Sequence, residues 1–143
     1  MKKSVTATLI PGAKFAQEVK AGTFTMTCDL TIAQGGSGKG ADPKDFLLGA
    51  LASCIAMTII GSSSKRNWDI QSISVTVTRD EEPDPDDKSG TNRKRPVFSE
   101  EVKVKGNLSA QELADIEATA KKCPVARDFA GPKRMETKVT LLP

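Results

Sequence analysis

Hydrophobic and polar residues alternate along the first part of the chain. Val5, Ala7 and Leu9 interleave with Ser4, Thr6 and Thr8, the period of a half-buried strand. Pro11-Gly12 marks a turn, and residues 14–20 form a weaker strand with Phe15 and Val19 on one face. After the Ala21-Gly22 turn, Phe24, Met26, Cys28, Leu30 and Ile32 alternate with Thr23, Thr25, Thr27, Asp29 and Thr31. This is the cleanest strand in the chain. It puts Cys28 on the core face, where a free cysteine behaves as a small hydrophobe.

The period then changes. A glycine-rich stretch, GGSGKGA, leads into Asp42-Pro43-Lys44-Asp45. Asp42 suits the N-cap, Pro43 the first helical position, and Asp45 adds negative charge in the first turn. The predicted helix runs from Pro43 to about Ser64. Phe46, Leu47, Leu48, Leu51, Ile55, Met57, Ile59 and Ile60 go most of the way round it, the mark of a buried helix. Gly49, Ala50, Ala52, Ser53 and Ala56 keep one side thin enough for another element to approach closely.

Trp68 reads as a core plug at the helix exit. Ile73, Val75 and Val77 then alternate with Ser72, Ser74, Thr76 and Thr78 as a further strand. Residues 81–95 read as a loop too rich in charge, proline and glycine to pack. Phe98, Val102 and Val104 mark a strand ending at Gly106. Ser109 and Glu112 form a capping box ahead of an amphipathic helix carrying Leu113, Ile116 and Ala120. Cys123 continues that stripe, and Pro124 breaks the helix. A short turn over 125–130 and Gly131-Pro132 lead to a last strand with Met135, Thr137, Val139 and Leu141 on one face. The expected order is βββ–α–ββ–α–β, an α+β fold in a single domain, 1–143, with no internal repeat.

Composition narrows the chemistry. With 143 residues the chain is long enough to bury a core. The net charge of +3 is spread over local blocks, the acidic 80–87 and the basic Arg93-Lys94-Arg95. No tyrosine, one tryptophan and no basic stripe argue against a nucleic-acid partner. The longest apolar stretch, 46–60, is interrupted by Gly49, Ser53 and Thr58 and falls short of a membrane span. No signal-peptide pattern follows Met1, so no membrane partner is expected and the expected location is the cytoplasm. The absence of histidine removes Ser-His-Asp and Cys-His catalysis and most zinc sites, so no metal is expected. GGSGKG fails the Walker pattern, because Gly38-Lys39 is followed by Gly40 and Ala33 holds the first glycine's place. Asp42 would also repel a phosphate. The stretch reads as a flexible connection.

What remains is thiol chemistry. The three cysteines are an odd number at wide spacing, unlike a secreted disulfide framework. Cys54 and Cys123 each fall on the buried stripe of a helix. On spacing alone they read as buried structural cysteines that approach one another if the two helices pack together.

Taken together and in order, several motifs point further. Asp42-Pro43 with Cys54 eleven residues after Pro43, the ALASC run, the preceding glycine loop, GNLSAQEL and KKCPV resemble the OsmC/Ohr-like proteins over essentially the whole chain. The resemblance implies antiparallel sheets wrapped around central helices in an intertwined homodimer. It further implies a thiol peroxidase acting on organic hydroperoxides, with no bound cofactor. Cys54 would be the peroxidatic thiol and Cys123 the resolving one, joined in a disulfide that an external dithiol such as lipoamide reduces. Active relatives carry a glutamate after the helix-opening proline and an arginine from the N-terminal part. Here Lys44 holds the glutamate position, Lys14 is the candidate substitute for the arginine, and Asp45 is the candidate substitute carboxylate. The departure keeps open a non-catalytic homodimer of the same fold that binds a small hydrophobic or thiol ligand. Burial alone would raise the Cys54 pKa, so the expectation is that a nearby cation must activate it.

Overall fold

The computed structural model describes residues 3–130 and 134–141, which fall into two compact units, Met1–Ala50 and Leu51–Pro143, with the division inside one helix. In the first unit β1 (Thr6–Leu9), β2 (Gln17–Ala21) and β3 (Phe24–Cys28) form an antiparallel sheet in that order. The sheet is barer than its alternation implied. Leu9 and Phe24 are 54% and 74% exposed.

The glycine-rich stretch is folded rather than flexible. Asp29 is buried, and its carboxylate accepts hydrogen bonds from Leu30 N–H (2.8 Å), Ser37 N–H (3.0 Å), Ser37 Oγ (2.6 Å) and Lys39 N–H (3.2 Å). Those donors hold its pKa below the ordinary carboxylate range, the Ser37 hydroxyl most strongly and against the effect of burial. Gly36 and Gly40 permit the wrap. A Cβ at Gly36 would lie 2.0 Å from the Leu30 carbonyl oxygen, and one at Gly40 would lie 2.2 Å from that of Thr27. The backbone amides of Ser37 and Lys39, which a phosphate would need, are taken up by an internal carboxylate.

Helix α1 (Pro43–Arg66) starts as its sequence dictates. Asp42 Oδ1 accepts from Lys44 N–H (2.7 Å) and Asp45 N–H (3.0 Å), and Asp45 Oδ2 accepts from Asp42 N–H (3.1 Å). This is a capping box built with aspartate. Its 24 residues are long and apolar enough to cross a membrane by length and composition, which the interrupted run 46–60 did not suggest. Within the chain only one stripe of it is covered. Leu51, Ile55 and Ile59, four residues apart, are buried, whereas Met57 is 72% exposed. Burying Ile55 and Ile59 contributes roughly 2 kcal/mol each.

In the second unit β4 (Asp69–Pro83) and β5 (Lys94–Asn107) make a long antiparallel hairpin. Its arms run into the stretch expected to be loop, because charge pairs across the strands stabilise it. Glu82 lies opposite Arg95 and accepts from its guanidinium at 2.6 Å, and Arg93 pairs with Asp84 at 2.7 Å. Trp68 is buried as expected. Helix α2 (Ala110–Ala120) opens on the Ser109/Glu112 capping box, with Ser109 N–H on Glu112 at 2.7 Å and Glu112 N–H on Ser109 Oγ at 3.3 Å. The helical run breaks over 121–123, just before Pro124, as expected. Pro124 then opens α3 (Pro124–Ala130), in place of the expected turn, and suits a first helical position because it has no N–H to satisfy.

The last expected strand is not formed. Residues 134–141 lack regular structure, and Met135, Val139 and Leu141 are at least 90% exposed. Alternation marks a segment as fit for a strand. Pairing needs an edge, and among the described residues this segment pairs with none. The Gly131-Pro132 turn lies outside the described residues.

Candidate functional site

The site is built where α1, the end of α2 and the start of α3 meet. Cys54 sits mid-way along α1, half-buried, one residue before the buried Ile55. Cys123 follows α2 and is fully buried, its N–H bonded to the Ala120 carbonyl at 3.1 Å. The two thiols are free and hydrogen-bonded to one another. Helix packing therefore brings together the two cysteines that the α1 and α2 stripes placed on buried faces.

The electrostatics differ sharply between the two sulfurs. At Cys54 burial raises the pKa, but hydrogen bonds from the Cys123 side chain, the Val125 N–H and the Thr58 hydroxyl outweigh it, and the net direction is down. At Cys123 burial raises the pKa, and the bond to Cys54 raises it further. A donor that stabilises its neighbour's thiolate must keep its own proton. The two environments thus rank the thiols, Cys54 being the more readily ionised and Cys123 the less. The charged group among those acting on Cys54 is Asp128, an acid, which opposes ionisation.

The groups that act to lower the Cys54 pKa are hydrogen-bond donors. The other residues singled out in the sequence have local partners in the first unit. Lys14 is exposed, with Nζ 5.0 Å from the centroid of the Phe15 ring. Lys44 is exposed and bonds through its backbone to Asp42, and the Asp45 carboxylate is engaged in the helix cap. Cys28 is half-buried, and burial followed by the charges of Asp42 and Asp29 pushes its thiol up, away from reactivity.

Sequence reasoning did not single out three members of this site. Thr58 was legible in principle, since it stands four residues beyond Cys54 and shares its helix face. Val125 and Asp128 lie on α3, a segment taken for a turn.

An open groove of about 370 Å³ is lined by Leu51, Pro96, Phe98, Ala126 and Phe129 among others. Phe98 and Phe129 pack as a tilted aromatic pair with centroids 5.8 Å apart.

Comparison with known proteins bears on this arrangement. The family model described as OsmC-like protein matches residues 36–138. No curated protein matches the chain. Among solved structures, an OsmC-like protein from Mycoplasma pneumoniae superposes with a TM-score of 0.73 at 23% identity, covering 92% of this chain and 89% of that one. The organic hydroperoxide resistance protein OhrB of Bacillus subtilis gives a TM-score of 0.62 at 16% identity, over 92% of each chain. An organic hydroperoxide resistance protein from Elizabethkingia anophelis, with thiocyanate bound, gives 0.67 at 15% identity, over 92% of this chain and 89% of that one. Likeness at these identities concerns the fold, a mixed one with antiparallel sheets and helices.

Proposed function

The chain belongs to the OsmC-like protein family, and from that premise we propose that it is a thiol-dependent peroxidase reducing organic hydroperoxides. The observation that carries this reading is the hydrogen-bonded Cys54–Cys123 pair, one sulfur favoured as thiolate and the other as thiol. Similar folds named organic hydroperoxide resistance proteins support the choice of substrate.

The Cys54 thiolate attacks the outer peroxide oxygen. The O–O bond breaks, the alkoxide leaves and takes a proton as the alcohol, and Cys54 becomes a sulfenic acid. The Cys123 thiol then displaces hydroxide from that sulfur, giving a disulfide and water. An external dithiol such as reduced lipoamide regenerates both thiols and is itself oxidised. The protein works in the cytoplasm as a homodimer. Exposed apolar residues on the first unit's sheet and on α1, Phe24 and Met57 among them, support a second copy as the cover.

The test is turnover of tert-butyl hydroperoxide with reduced lipoamide. Wild type is expected to turn over, Cys54→Ser to sit at the background rate, and the oxidised protein to hold one Cys54–Cys123 disulfide with Cys28 free. A wild type as slow as Cys54→Ser overturns the reading. That result would favour a non-catalytic homodimer binding a small hydrophobic or thiol ligand, the reading to which Lys44 at the family's glutamate position lends weight.

A further inference from the structure

Helix α1 carries two hydroxyls that bond back onto its own backbone beyond Cys54. Thr58 Oγ1 donates to the Cys54 carbonyl at 2.7 Å, and Ser62 Oγ donates to the Thr58 carbonyl at 2.9 Å. Back-bonding of this kind is common in helix interiors and needs no function. Thr58 differs from Ser62 in one respect: it stands one helical turn beyond Cys54 with its hydroxyl 2.7 Å from that residue's own carbonyl, near enough to act on the Cys54 sulfur as well. A hydroxyl has one proton to give. It can serve the carbonyl or the sulfur, not both at once.

We propose that Thr58 is a positioning residue for Cys54, its hydroxyl turning from the Cys54 carbonyl to the Cys54 sulfur when the thiol ionises. The exchange leaves nothing buried unpaired. The Cys54 carbonyl keeps its ordinary helical bond from the Thr58 N–H, so releasing the hydroxyl costs little. A thiolate accepting the same proton gains a charge-assisted bond, worth more than the neutral one it replaces. Thr58 thereby takes up part of the task that a cation performs beside a thiolate elsewhere. The inference rests on Cys54 being the attacking thiol. The titratable groups facing that sulfur are Cys123, from the end of α2, and Asp128, from α3.

The experiment follows alkylation of reduced full-length protein by iodoacetamide across pH, with Cys54 resolved by peptide mass spectrometry. Thr58→Val is expected to move the Cys54 midpoint upward and to slow alkylation at pH 7 about tenfold, the loss of one hydrogen bond to a charged group. Thr58→Ser is expected to restore both. Ser62→Ala, which removes an equivalent back-bond without touching the sulfur, is expected to titrate as wild type. A wild-type midpoint in folded Thr58→Val overturns the assignment, as does an equal shift in Ser62→Ala. If Thr58→Val does not fold, Thr58→Ala against Thr58→Ser decides, and no difference between them overturns it. Because the readout is alkylation and not turnover, a wild type without peroxidase activity sinks the functional reading alone.

Discussion

Asp29 and Cys54 are both favoured in their ionised forms by hydrogen-bond donors, and to different ends. The Asp29 carboxylate accepts from Leu30, Ser37 and Lys39, all within ten residues along the chain. The Cys54 thiolate is favoured by donors from Thr58 on its own helix and from Cys123 and Val125, some seventy residues away in sequence. Both sites hold the pKa below its ordinary value against the effect of burial. The donors to Asp29 are chemically inert, so the glycine loop closes round the charge and the result is architecture. One donor to Cys54 is itself a thiol. The group that stabilises the thiolate is also the group able to displace hydroxide from its oxidised form. What separates structure from chemistry here is the reactivity of the donor, not the depth of burial.

The sharpest way to break that contrast is to remove the reactive donor in two steps. Cys123→Ser keeps an O–H beside Cys54 but cannot form a disulfide, whereas Cys123→Ala removes both roles. After peroxide treatment both variants are expected to accumulate Cys54 sulfenic acid, captured by dimedone, with no intramolecular disulfide. They should part company in the reduced state. Cys123→Ala is expected to alkylate at Cys54 about fivefold more slowly than Cys123→Ser at pH 7, the loss of one hydroxyl donor to the thiolate. Equal rates would show that Cys123 only resolves and does not activate.

Asp29 offers the architectural counterpart. Asp29→Asn keeps the shape and loses the charge that the Ser37 and Lys39 donors are arranged to meet. A drop of several degrees in Tm near neutral pH is expected, with Cys54 alkylation unchanged. The sign with pH is fixed by linkage. The folded Asp29 pKa lies below its unfolded value, so its contribution is fully present above about pH 4 and is lost as pH falls through the lowered value. The Tm gap between wild type and Asp29→Asn should therefore narrow on acidification, and a gap that widens would refute the internal-anion reading of the loop.

The difference between the two sites also explains what could be read from the sequence. The α1 cap, the Ser109/Glu112 box and the Cys123 stripe were legible because each is a local pattern with one physical meaning. The Asp29 loop was not, since a glycine-rich stretch before a helix reads equally as a linker, and only the position of an acid eight residues earlier tells otherwise. The segment carrying Met135, Val139 and Leu141 shows the opposite limit. Its alternation is real, but a strand is a property of two segments, and among the described residues no second segment pairs with it. At the site itself the cysteines were found from periodicity and the family's motifs. Thr58 and Val125 were passed over because a cation was expected beside the thiol, and nothing local in the sequence marks a hydroxyl or an amide as its partner.

The smallest effect tests the last charged neighbour. Asp128, exposed on α3, opposes ionisation of Cys54 through its charge, the weakest of the main influences acting there. Asp128→Asn should lower the Cys54 midpoint slightly and raise alkylation at pH 7 by about twofold at low ionic strength, the scale of an exposed charge pair. Salt makes the test discriminating. Near 1 M the Debye length is about 3 Å, so wild type and Asp128→Asn should converge there. The Thr58 effect acts by direct hydrogen bonding and should survive the same salt. If instead the Thr58→Val shift faded with salt while that of Asp128→Asn persisted, the cradle of donors would have to give way to a picture in which Cys54 is set by charge.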